Sequence, residues 1–166
     1  MKEITDKLIE GYISSNEGDK TFREWIQKNI NHEDFPDSLI EYYCDQDSPI
    51  EIGKKLLESE FEKSGLIWPS RTGNEIAVLE SVFLGKYNDF KISGAELVNK
   101  CCNISQRFEG HSENERVWLL LEEALFLIDC EEEVGRVILV GKDVELEIED
   151  FLINSGVIDK KRARNK

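Results

Sequence analysis

The chain has 166 residues, 40% of them hydrophobic and 9% aromatic, which suits a compact protein with a true core and excludes disorder throughout. No window approaches the run of about 18 apolar residues that reads as a membrane span, and the charged start MKEITDKLIEGY lacks the apolar block of a secretory signal. The net charge of −14 repels nucleic acid and anionic lipid and attracts basic protein.

Periodicity and punctuation predict helices over 3–15, 21–32, 37–46, 49–64, 73–87, 94–109, 113–132 and 144–155. The expected fold is therefore all-α, a single-domain bundle of about seven or eight helices over 1–158. A flexible basic tail follows over 159–166. A Ser or Thr followed three residues later by Glu is the signature of a capping box, in which each side chain satisfies a backbone N–H left free by the first turn. It occurs at Thr21–Glu24, Ser48–Glu51, Thr72–Glu75, Ser93–Glu96 and Ser112–Glu115. Gly65, Gly110 and Gly156 follow helical patterns and are expected to close them.

Phe22, Trp25, Ile26 and Ile30 form one apolar stripe, and Leu97, Cys101, Ile104 and Phe108 form another. The loop SGLIWPSRTG, from Ser64 to Gly73, is expected to be pinned by Trp68. The block VWLLLEEALFLI, Val117 to Ile128, is apolar on most of its circumference and is expected to be a central helix surrounded by others. Within 136–148 a short β element competes with helix, because Arg136–Val140 is rich in β-branched residues and VELEI alternates. A helix after Gly141 is favoured, since Asp143 can cap it and Val144, Ile148, Phe151 and Leu152 share one face.

Motifs for chemistry fail on inspection. The stretch GRVILVGKD resembles a phosphate loop, but Gly135 is one residue too early and Asp143 stands where Ser or Thr belongs. Asp143, Glu145, Glu147 and Glu149 match the start of a calcium loop, yet Ile148 replaces its glycine and Asn154 its final glutamate. Cys44, Cys101, Cys102 and Cys130 form no CxxC pair and are read as reduced structural thiols of a cytoplasmic protein. His32 and His111 lie at expected helix junctions with no positioned nucleophile beside them. The chain is thus expected not to be an enzyme and to hold no cofactor or metal.

Charge is unevenly spread. Between Glu109 and Asp150, 14 acids face only Arg116, Arg136 and Lys142, a net of −11, whereas the tail carries +4. The acids Glu131, Glu132, Glu133, Asp143, Glu145, Glu147 and Glu149 are the candidate docking residues for a basic protein. A small, acidic, motif-poor chain with such clusters resembles the bacterial immunity proteins that neutralise nuclease toxins of contact-dependent inhibition and colicin-type systems. That resemblance implies a non-enzymatic inhibitor of one cognate basic toxin, with carboxylates occupying its phosphate-binding groove. The alternative is a helical adaptor or regulatory subunit that holds a partner helix in an apolar groove.

Overall fold

Every helix expected from the sequence is present. They are α1 Lys2–Glu17, α2 Asp19–Asn29, α3 Asp37–Cys44, α4 Ile50–Lys63, α5 Glu75–Asn88, α6 Gly94–Arg107, α7 Glu115–Asp129 and α8 Val144–Asn154, with a 3-10 turn at Pro69–Thr72. The computed structural model describes residues 2–129, 139 and 141–159, with side chains from residue 5 onward. Among the described residues there is no strand, so residues 144–148 of the disputed stretch are helical. Residues 136–138 and 140, the tail 160–166 and Cys130 lie outside the described residues.

The helix starts are placed as expected, but mostly for another reason. Only Ser93–Glu96 forms the full capping box. Thr21 lies inside α2, which starts after Gly18. Ser48 precedes the cap and spends its hydroxyl on Asp45 Oδ2 at 2.6 Å. Thr72 bonds back to the Pro69 carbonyl, and Asn74 caps α5 instead by accepting from Ala77 N–H at 3.1 Å. Ser112 donates to Glu80 rather than bracketing Glu115. A short hydroxyl serves whichever backbone or acid is nearest, so the three-residue spacing marks a helix start without dictating its bonds.

Helix ends follow the expected closure at two of three glycines. Gly65 and Gly156 take positive φ, and the following N–H groups of Leu66 and Val157 reach Phe61 and Leu152 carbonyls at 2.9 Å each, the Schellman pattern. Gly110 lies beyond the end of α6, which closes at extended Phe108. The end of α5 uses the same Schellman closure with Phe90 in the left-handed position, φ 58°, and Lys91 N–H on the Lys86 carbonyl at 2.9 Å. No glycine announced it.

The helices group into two compact units, Met1–Thr72 and Gly73–Lys166, where the sequence reads as one domain over 1–158. In the first unit α1 packs on α2 and α4, and α3 on α2 and α4. Its core is aromatic. Phe22 and Trp25 stack at 5.6 Å, and Trp25 meets Phe35 at 5.4 Å. Trp68 stands edge-on to Tyr12 and Phe61 at 4.7 and 5.0 Å, which pins its loop as expected. Glycines set the close approaches. A Cβ on Gly11 would lie 2.6 Å from the Trp25 ring, and one on Gly53 would lie 2.7 Å from both Phe22 and Tyr42.

Arg23 closes this unit. It is 9% exposed and donates to Asp19 at 2.9 Å and to the carbonyls of Tyr42, Tyr43, Asp45 and Ser48 at 3.1, 3.3, 3.3 and 2.9 Å. It therefore satisfies carbonyls that the end of α3 leaves open. It also lies 4.3 Å over the Tyr42 ring, whose hydroxyl donates to Asp19 at 2.6 Å.

In the second unit the central helix is α6, which packs against α5, α7 and α8. Leu97, Val98, Cys101, Cys102 and Ile104 of α6 are buried with Leu79, Phe83 and Tyr87 of α5 and Ile148 and Leu152 of α8. This corrects the expectation that Val117–Ile128 is central. Only Trp118, Leu121 and Ala124 of α7 are buried, while Leu119 and Phe126 are 53% and 64% exposed. Apolar composition all round a helix states what it can bury, not how many neighbours reach it.

Candidate partner-binding surface

The acids nominated from sequence are dispersed by the fold. Glu131, Glu132 and Glu133 lie outside the described residues. Asp143 caps α8, its carboxylate accepting from Leu146 N–H at 3.1 Å. Glu147 turns back and accepts from the N–H groups of Gly141, Lys142 and Asp143 at 3.0, 3.2 and 3.5 Å. The loop that resembles a phosphate cradle thus cradles an anion, and that anion is the chain's own Glu147. Glu145 accepts from Gly94 N–H at 2.7 Å, at the positive end of α6, where the partial charges of the helix favour a carboxylate. Glu149 is 1% exposed. Glu145 thus ties α8 to α6, while Asp143 and Glu147 serve the start of α8 itself, and the four do not form one outward row.

Glu80 on α5 is a second buried carboxylate, 6% exposed. It accepts from Ser112 Oγ, from Asn114 Nδ2 at 2.5 Å and from Trp118 Nε1 at 3.0 Å. All three donors are neutral, and among the described residues no Lys or Arg forms an ion pair with it. Ser112 and Trp118 are themselves buried, and Asn114 is half-buried at the edge of the cluster. It fastens α5 to the start of α7. Nearby, burial and then the Glu80 charge push the Cys101 thiol well above its ordinary range. Cys102 is pushed up to about 12, mainly by burial, with Glu122 adding to it. Near neutral pH neither is a thiolate, which fits the packing role read from the stripe.

His32 and His111 are both exposed, and the backbone of His111 bonds the Asn74 side chain. Among the described residues no group of three His, Cys, Asp or Glu side chains is placed to hold a metal ion.

The outward chemistry gathers on α7. Its charged residues Glu115, Arg116, Glu122, Glu123 and Asp129 are all exposed, and among the described residues none of them forms an ion pair. At about 100° per residue, Leu119 and Phe126 stand roughly 20° apart, and all seven side chains fall in an arc of roughly 140°. The buried Leu121 and Ala124 point the other way, and buried Trp118 borders the arc beside Asp129. The face is therefore two large apolar groups set among four acids and one base. Asp129 stands in the last turn, which holds no base, so an acid meets the negative end of the helix. Sequence reasoning passed over Leu119 and Phe126 because they sit inside an apolar block. The signal that separates them is the acids, which all share their side.

Comparison with protein-family models, with curated proteins and with solved structures finds no match for this chain.

Proposed function

We propose that the chain is a non-enzymatic, acidic protein-binding module whose partner is a basic protein. In its specific form it is an immunity protein that seats on a nuclease toxin domain and blocks it. The observation that carries this reading is the outer face of α7, where exposed acids without ion pairs among the described residues surround exposed Leu119 and Phe126. Apolar groups of that size left in water are the usual centre of an interface, and a one-signed rim selects the partner's charge. The net charge of −14 extends the same field over the molecule.

The adaptor reading, with a partner helix held on an apolar face, gains from the same residues, because the apolar and acidic features coincide on α7. The test is to mix the purified chain with a basic nuclease domain encoded beside its gene and to measure affinity and nuclease activity. Tight one-to-one binding with loss of activity supports the proposal. Absence of binding at low salt sinks it.

A further inference from the structure

We infer that the outer face of α7 is the docking surface for a cationic amphipathic helix presented by the basic partner, an inference that rests on the protein-binding reading above. Leu119 and Phe126 are seven residues apart, two turns along one line of the helix. A partner helix laid along α7 meets such a line with its own apolar residues at matching spacing. The 15 residues of α7 span about 22 Å, enough for a partner of roughly four turns.

Charge then selects the occupant. Glu115 and Glu122 flank the apolar pair on one side, and Glu123 and Arg116 lie on the other. Lysine or arginine side chains beside the partner's apolar stripe would meet the acids, and their stems would cover the apolar rims. A second copy of the chain brings the same net-negative face against itself and is opposed by like charge. An anionic lipid surface is opposed in the same way.

The probe is a synthetic lysine–leucine peptide about four turns long with one apolar face, compared with a scrambled peptide of equal composition that lacks the face. Both are added to the isotopically labelled full chain, and backbone amide shifts and affinity are recorded. The patterned peptide is expected to move the amides of Arg116–Asp129 and to bind about tenfold or more tightly than the scrambled one. The Leu119→Ser/Phe126→Ser variant is expected to lose about tenfold or more, with its circular dichroism unchanged because both side chains are exposed. Glu123→Lys/Asp129→Lys provides an independent variant, expected to weaken binding most at low salt.

Equal binding of both peptides, unaffected by Leu119→Ser/Phe126→Ser, overturns the α7 site and leaves the acidic-module reading standing. Failure of both peptides to bind at low salt overturns the inference, while the protein-binding reading is judged by its own test with the nuclease domain. A dimer of the free chain that the same double variant converts to monomer would assign the face to a second copy and overturn the inference.

Discussion

Arg23 and Glu80 are buried charges satisfied in different ways. Arg23 faces four carbonyls and a carboxylate in fixed directions, a fork that an ammonium cannot reproduce. Arg23→Lys is expected to cost about 3 kcal/mol by urea unfolding, and a cost under about 1 kcal/mol would show that the carbonyls find water instead. Glu80 accepts from three neutral donors. Glu80→Leu strands Ser112, Asn114 and Trp118 and is expected to cost about 3 kcal/mol, whereas Glu80→Gln, which keeps an acceptor, is expected to cost about 1 kcal/mol. Equal costs for the two would mean that loss of the carboxylate, common to both, outweighs loss of the acceptor.

Tyr42 adds a pH dependence at the same scale. Burial, and then its bond to Asp19, push its hydroxyl up from 10.0 to about 12. The folded state therefore holds this proton more tightly than the unfolded chain. The stability it contributes is complete below pH 10 and is lost as pH rises through about 12. Asp19 moves the other way, lowered chiefly by the Tyr42 hydrogen bond. Its contribution is present above its ordinary 3.8 and fades as pH falls below that value. Cys101 and Cys102 also lose protons at high pH, so the measurement is a difference. Alkaline destabilisation should be smaller in Tyr42→Phe than in the parent chain, and identical profiles would contradict the assignment.

At the scale of helices, two glycines that each lie inside a helix between an aliphatic residue and a lysine should respond with opposite sign. Gly85 lies in α5 with nothing near its absent Cβ, so Gly85→Ala should stabilise by about 1 kcal/mol through helix propensity. Gly53 lies in α4 against Phe22 and Tyr42 rings held in a packed core, so Gly53→Ala should destabilise by about 1–3 kcal/mol despite the same propensity gain. Thermal unfolding reads both, and a stabilised Gly53→Ala would mean that the helices separate freely there.

This contrast also shows what the sequence can express. Period and punctuation place the eight helices of the described residues, because both are local properties of the chain. The glycine at 53 looks no different from the glycine at 85, because what distinguishes them is the ring packed opposite. The same limit governs the candidate site. Asp143 as a cap was legible from its position before Val144. The turning of Glu145 onto Gly94 was not, since 51 residues separate them in the chain. Nor was the rank of α6 over α7 as the central helix, which depends on which neighbours reach each face. Leu119 and Phe126 became visible as surface only when the buried arc of α7 was fixed by Trp118, Leu121 and Ala124.

For the whole molecule the governing quantity is charge. A chain of −14 has a long-range field that accelerates its encounter with a basic partner and weakens as salt shortens its reach from about 10 Å at 0.1 M to about 3 Å at 1 M. The contact at Leu119 and Phe126, once made, is governed by burial and is far less sensitive to salt. Association and dissociation should therefore separate. Charge reversal at Glu123 and Asp129 should slow association, whereas Leu119→Ser/Phe126→Ser should speed dissociation.

The most direct measurement is the association rate of the chain with the basic partner proposed above, taken as ionic strength rises from about 0.05 to 0.5 M. A binding module recognised by its charge should associate rapidly at low salt, with a rate that falls steeply and is reduced further by Glu123→Lys/Asp129→Lys. A rate that stays flat across that range and ignores the charge reversal would contradict it.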